Sequence, residues 1–432
     1  MAKLIINGPN KLEGEVLISG AKNSALAIIV AAAMAPEESL LINVPRNLDV
    51  FFMTKILEEL GVKVWFDADG LHVDGSTLSS HQVPYNLARR MRASFYVAGL
   101  LLARLGVAEV PLPGGCALGS RPVDYHIKGF QSLGAKITIE HGYMKAQAES
   151  LRGTKVYINR SSVGTTVNLM LAASTAQGTT ILENPAKEPE VVDLAICLNS
   201  MGARIRGAGT DVIRIDGVKR LRGAEHSIIP DRIEAGTYAL AAAITQGRIL
   251  LRNVVTDHLR APLLKLEEAG AIISEGPNEL EIAAPQRMQA VDLETAAYPG
   301  FPTDLQQPFM AMLTLAEGTS VIRETIFDRF RFVDELRRMG ADLKVERDTA
   351  IVRGVEGLTG APVEATDLRA GAALVLAGLA AEGTTEVGAV EMIDRGYERL
   401  EEKLRALGAN ISRQGEEKDP EEIARELDYL CP

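Results

Sequence analysis

Cys116 has the setting in this chain best suited to covalent or proton-transfer chemistry. It lies in VPLPGGCALGSRPVDYHIKG (110–129), rich in glycine and proline, with Arg121 five positions further on. A thiol near a guanidinium in a flexible loop can have its thiolate favoured, which suits a nucleophile or a proton donor. A cysteine packed beneath a turn is the alternative, and the glycine and proline content favours the reactive reading. Three aspartates stand just ahead of helix-like stretches at matching points of the chain: Asp231 in PDR, Asp304 in FPTD and Asp367 in ATD. By itself each reads as a helix N-cap. Ser162-Val163-Gly164 precedes another such stretch, so its amides could receive phosphate oxygens while Ser162 caps the same helix. Glu188 and Glu190 could suggest a carboxylate metal pair, but no histidine accompanies them and a solvated loop before a helix fits better. Lys22 and Arg395 taken singly read as surface charges, and Cys197 as a core residue of VVDLAICLNSMGA (191–203).

The elements that must position these residues repeat. Six times a helix-like stretch ends in Gly-Ala or Gly-Val and enters a strand-like segment. The glycines are Gly61, Gly134, Gly202, Gly270, Gly340 and Gly408, at intervals of 73, 68, 68, 70 and 68 residues. An array of six related modules follows. Upstream of each lies a helix rich in Ala and Leu nearly all the way round, followed by a turn and a short strand, such as 234–253 or 366–387, and the helix reads as buried. Module two is stretched: Gly106 to Gly134 spans 28 residues against 24 from Gly178 to Gly202, and the surplus falls in the cysteine loop. Insertions that interrupt a repeat commonly map to functional loops. Module six lacks a convincing second strand, and KLIINGPNKLEGEVLISGAKNS (3–24) resembles the missing piece. The expectation is a discontinuous domain of 1–21 with 230–432, enclosing a middle domain of 22–229.

The length of 432 residues allows two or three domains, and 47% hydrophobic content is ordinary for a globular chain. A net charge of −11 disfavours nucleic acid as a partner but leaves room for small anionic ligands at a local basic cluster. No signal peptide is visible after Met1, and the longest apolar run, 24–35, is too short to span a bilayer. Three scattered cysteines (Cys116, Cys197, Cys431) give no disulfide framework or metal spacing. The expectation is a cytosolic protein without membrane insertion, whose 414–432 tail is a polar linker and short acidic helix.

SGAKNSALA (19–27), RMRAS (90–94), PGGCALGSRPVD (113–124), PDRIEAGT (230–237), FPTDLQQPF (301–309), ATDLRA (365–370) and IDRGYERL (393–400) together resemble one family, in order along nearly the whole chain. It is that of the UDP-N-acetylglucosamine 1-carboxyvinyltransferases, enolpyruvyl transferases that open peptidoglycan precursor synthesis. The resemblance implies an α/β fold of two inside-out barrel (prism) domains, each of three modules, with the active site in the interdomain cleft. It implies transfer of the enolpyruvyl group of phosphoenolpyruvate to the 3′-hydroxyl of UDP-N-acetylglucosamine through a tetrahedral ketal, with phosphate released. By similarity Lys22 and Asn23 hold phosphoenolpyruvate, and Arg121 and Arg395 complete a cationic clamp; guanidinium groups suit phosphate and carboxylate because they bind bidentately. Asp304 would be the base for the sugar hydroxyl, and Cys116 the acid for the methylene carbon or a helper of product release. Arg92, the segment Arg121-Pro122-Val123-Asp124-Tyr125, Arg160, and Ser161-Ser162-Val163 would contact uridine and diphosphate, with Asp304 and Ile326 near the sugar. Asp231, Asp367 and Arg369 are further candidates.

Arg160 stands where many relatives carry Lys, and Ala27 where many carry Pro. Relatives with Asp at the loop-cysteine position resist the epoxide fosfomycin, so Cys116 implies sensitivity. No metal or organic cofactor is implied. Three other readings compete: an enolpyruvyl transferase acting on shikimate phosphate, a non-catalytic sensor of UDP-N-acetylglucosamine, and a cyclase of RNA 3′-phosphates. The cysteine loop opposes the first, and joint retention of Lys22, Cys116, Arg121, Asp304 and Arg395 the second. Acidic charge and the lack of a catalytic-histidine motif oppose the third.

Overall fold

The computed structural model describes residues 2–113 and 123–415; Cys116, Arg121, Pro122 and the tail with Cys431 lie outside them. The chain divides into two compact units, a terminal unit of residues 2–19 with 230–415 and a middle unit of 20–113 with 123–229. It passes between them at Ser19–Gly20 and again at Ile229–Pro230.

Six buried helices supply the cores: α1 (Lys22–Ala32), α2 (Val97–Leu105), α3 (Val163–Ala173), α4 (Arg232–Ile244), α5 (Thr303–Leu313) and α6 (Leu368–Ala380). Apolar and small side chains on every face let them pack on all sides. In the terminal unit α4, α5 and α6 pack on one another; in the middle unit α2 packs on both α1 and α3. Glycine permits the closest approaches. A Cβ at Gly99 would come 2.7 Å from the Asn168 carbonyl oxygen, and one at Gly236 would run into the Leu305 side chain.

Among the described residues each unit carries three sheets built around the strands that follow the buried helices. In Arg248–Arg252, Ile249 and Leu251 are fully buried while their neighbours turn outward, the period-two signature of a half-covered sheet. That strand runs parallel to Glu13–Leu17 and antiparallel to Glu279–Ala283. Five of the six sheets share this pattern, and the sixth, on Val107–Pro111, reduces the parallel partner to a bridge between Gln82 and Glu109. In module six the antiparallel partner of Gly383–Gly388 is the N-terminal strand Lys3–Gly8, which also pairs with Ile411–Gln414. Glu225–Ser227 likewise returns to run parallel to Glu38–Ile42 in the middle unit.

The repeat glycines share one local structure. Gly61, Gly134, Gly202, Gly270, Gly340 and Gly408 have φ between 93° and 102°, which side chains with a Cβ rarely adopt. At each, the glycine N–H bonds back three residues and the next N–H bonds back five, as with Gly61 to Glu58 and Val62 to Leu57. This is the Schellman closure of a helix, repeated six times. Among the described residues no helix is long and apolar enough to cross a membrane.

Candidate active site

In the terminal unit the N-terminal turns of the three buried helices converge on one charged cluster. Asp231 caps α4, its Oδ1 accepting from the amides of Ile233 and Glu234 at 2.7 and 3.0 Å. Asp367 caps α6 in the same way through Arg369 and Ala370, and its Oδ2 accepts from Gln307 Nε2 at 3.0 Å. Asp304 departs from the cap expected of it. Pro302 holds the N-cap position of α5 and Asp304 lies inside the first turn. Its carboxylate accepts from Arg329 Nη2 at 2.5 Å and Arg369 Nη2 at 3.2 Å. The three aspartates, equivalent in the sequence pattern, therefore differ: two cap their helices through backbone amides, and the third is held by two guanidinium groups.

Arg369 is only 1% exposed, and the Tyr397 ring lies 5.2 Å from its guanidinium carbon. Burial lowers the basicity of Arg369, but Tyr397, Asp304 and Asp231 outweigh it and the net shift is upward. The Tyr397 hydroxyl meets Thr237 Oγ1 at 2.9 Å, tying α4 into the cluster. Arg329 Nε is a buried donor without a partner among the described residues.

Ile326 sits in the turn after Thr319–Arg323. That turn is organised by buried Glu324, whose carboxylate accepts from Thr295 Oγ1, Thr303 Oγ1 and the amides of Ile326 and Phe327 at 2.9 to 3.0 Å. Thr303 adjoins Asp304, so one buried carboxylate sets both the turn and the start of α5. Arg395 follows the short helix Val390–Asp394 and is half-buried.

In the middle unit Lys22 is no surface charge: it opens α1, buried, with Nζ 3.2 Å from Asp49 Oδ2. A cation at a helix N-terminus opposes the helix dipole, and Asp49, in the first turn of Leu48–Glu59, offsets this. Asn23 is next, half-buried. The remaining candidates flank α3. Ser162 caps it through the Thr165 amide at 3.3 Å, and Ser161 Oγ bonds to the Pro185 carbonyl at 3.4 Å. Arg160 is exposed just ahead of them. Val123 is the N-cap of the helix Asp124–Ser132, which begins with Asp124 and Tyr125. Asp124 Oδ1 is a buried acceptor without a partner among the described residues. Arg92 opens the short turn Arg92–Tyr96 and is close enough to influence half-buried Tyr96 and buried His126. Tyr96 is pushed up to about 12, first by burial and then by Glu190, with Arg92 opposing. His126 is pushed down to about 3 by burial and then by Arg92. The solvated loop expected at Glu188 and Glu190 is not found: Glu188 is half-buried, and Glu190 is buried in the first turn of Pro189–Ser200. Cys197 is buried on that helix, its thiol pushed up to about 12 by burial and then by Asp193, so it is inert.

Asp49, Gln307, Glu324, Arg329, Tyr397 and His126 carry these arrangements without having been singled out by sequence. His126, directly after the Asp124-Tyr125 pair, and Arg329, between aromatics in FDRFRF (327–332), were the nearest to a signal.

The family model of EPSP synthase (3-phosphoshikimate 1-carboxyvinyltransferase) matches residues 6–404. The chain belongs to the enolpyruvyl transferase family. UDP-N-acetylglucosamine 1-carboxyvinyltransferase 2 of Symbiobacterium thermophilum is 56% identical over 415 residues, covering 95% of this chain and 98% of that protein. Among solved structures, the enolpyruvyl transferase NikO from Streptomyces tendae is similar with a TM-score of 0.86 at 27% identity, over 96% of this chain and 99% of that one. EPSP synthase from Acinetobacter baumannii shares the fold, with a TM-score of 0.75 at 18% identity, over 96% of this chain and 100% of that one.

Proposed function

We propose that this enolpyruvyl transferase joins phosphoenolpyruvate to the 3′-hydroxyl of UDP-N-acetylglucosamine and releases phosphate, opening peptidoglycan precursor synthesis. The observation that carries the reading is 56% identity, over nearly all of both chains, to a protein named for that activity. Substrate choice within the family rests on this identity, since the family model is itself described by the shikimate enzyme.

The two units are proposed to be the family's domains, 1–21 with 230–432 and 22–229, each an inside-out barrel of three modules. Residues of both serve the reaction. Asp304 removes the proton of the sugar hydroxyl as its oxygen bonds to the central carbon of phosphoenolpyruvate, and Cys116 protonates the methylene carbon to give a ketal. Loss of a methyl proton then restores the double bond as the C–O bond to phosphate breaks. Lys22, Asn23, Arg121 and Arg395 hold the phosphate and carboxylate, and the buried donors of Arg329 and Arg369 add to the positive field around Asp304. Arg92, Arg121 to Tyr125, Arg160 and Ser161 to Val163 take uridine and diphosphate, with Ile326 near the sugar. The unsatisfied Asp124 Oδ1 supports this, since a buried acceptor suits the N–H of a uracil ring. The proposed setting is the cytoplasm, with small-molecule partners and no cofactor.

Phosphate release from phosphoenolpyruvate with UDP-N-acetylglucosamine, and none with shikimate 3-phosphate, is the expected result. Release with the shikimate ester alone would overturn the substrate assignment, and release with neither would leave a sensor. Intact-mass analysis after fosfomycin treatment should show one adduct, absent in Cys116→Ala.

A further inference from the structure

Behind the N-terminus of α3, a run of hydrogen bonds can be followed from one fixed donor. The Gly99 amide donates to Asn168 Oδ1 at 2.9 Å, so the other end of that side chain is its NH2 group. The two NH2 protons go to the Phe95 carbonyl at 3.0 Å and to His126 Nδ1 at 3.0 Å. His126 Nδ1 is therefore an acceptor, and the neutral ring carries its proton on Nε2. A second proton, on Nδ1, would face the Asn168 N–H, and burial already opposes the charge. The Phe95 ring meets the imidazole edge-on at 5.0 Å and fixes its plane.

Among the described residues Nε2 has no partner, although His126 is only 8% exposed. The Cε1–Nε2 edge faces Gly164: a Cβ there would lie 3.3 Å from Cε1 and 3.4 Å from Nε2. Gly164 is in the first turn of α3, whose amides have no partner within the helix and favour an anion. A ring N–H without a partner among the described residues, on a side chain more than nine-tenths buried, thus lies beside a helix N-terminus suited to negative charge.

We propose that His126 donates through Nε2–H to a phosphate oxygen of the nucleotide, alongside the first-turn amides of α3. This rests on the proposed placing of the diphosphate at Ser161 to Val163. The donor is neutral, so it adds direction without a proton to gain or lose, and the glycine at 164 leaves the ring edge uncovered.

The test compares wild type with His126→Phe, which keeps a ring against Phe95 but has no N–H, and His126→Gln, whose amide can donate near the Nε2 position. For His126→Phe, the Kd for UDP and the KM for UDP-N-acetylglucosamine should rise about tenfold or more, the effect of losing one hydrogen bond to a charged group. The KM for phosphoenolpyruvate, kcat and the affinity for uridine should stay near wild type, and His126→Gln should recover part of the loss. Unchanged UDP binding in His126→Phe, or an equal loss for uridine, would overturn the proposal. Arg160→Ala, run in parallel, separates the two readings: if it weakens UDP while His126→Phe does not, only the histidine assignment fails. If neither variant responds, the placing of the diphosphate fails too. Independently of any substitution, nitrogen NMR of the wild-type imidazole should show the Nε2–H form and a shift with UDP but not uridine. The Nδ1–H form, or no response to UDP, would reject it.

Discussion

The N-terminal ends of α5, in the terminal unit, and of α3, in the middle unit, are armed in opposite ways. In the terminal unit the polar groups are ions: Asp304 between Arg329 and Arg369, with Asp231 and Asp367 capping on either side. In the middle unit the network behind α3 is neutral, an amide and an imidazole aligned by one backbone donor. Charge and direction are different tools. An ionic cluster can change its protonation and steady developing charge in a reaction, but each member depends on its partners because a lone buried ion is costly. A neutral network cannot drive proton transfer at physiological pH, yet it aims a donor with little ambiguity. The chemistry is expected where the ions are and the recognition where the tautomer is set.

Replacing the central ion should break this comparison most sharply. Asp304→Asn should lower kcat by about 10²–10⁴-fold, the span of a lost general base, with nucleotide-sugar affinity little changed. A kcat near the wild-type value in steady-state assays would move proton transfer elsewhere. Arg369→Leu takes one partner from a buried pair and should cost about 3–5 kcal/mol of stability in urea denaturation. The exposed pair Arg248–Glu281 is the control, and Arg248→Leu should leave the urea midpoint close to wild type.

His126 makes the neutral network visible in the pH dependence of stability. Its folded value of about 3 lies below the ordinary 6.5, so between them the unfolded chain binds the extra proton. Stability from this group is complete above pH 6.5 and drains away as pH falls towards 3, at up to about 1.4 kcal/mol per pH unit. His126→Phe should flatten that limb of the denaturation profile; an unchanged slope would mean the histidine is not buried in its neutral form. A smaller effect than that of Asp304 belongs to the capping aspartate. Asp231→Ala should cost only about 1 kcal/mol, as lost N-caps do, separating it from Asp304 despite their matching places in the pattern.

How legible each feature was follows from how local its cause is. The closing glycines were visible because a left-handed backbone turn nearly demands glycine, and the residue before each one ends a packed helix. Capping by Asp231 and Asp367 was equally visible, since the cap and its amides are two or three positions apart. Asp304 broke the same rule because α5 starts two residues earlier than the parallel suggests. Its partners stand 25 and 65 positions away, beyond any pattern in FPTD. Lys22 read as a surface charge for a similar reason: Asp49 is 27 residues on and meets it only when two helices pack. Glu324 gave no signal at all, being one acidic residue at a strand end whose four donors come from three segments.

The sequence by itself determined the module count, the closure of each helix and the family, because these rest on contiguous residues whose backbone preferences and periodicity are local. Only the tertiary structure decided which aspartate meets two arginines and which ring nitrogen of His126 carries the proton. Those outcomes depend on groups brought together by helix packing, where burial makes one partner more or less decisive and where no spacing along the chain records the meeting.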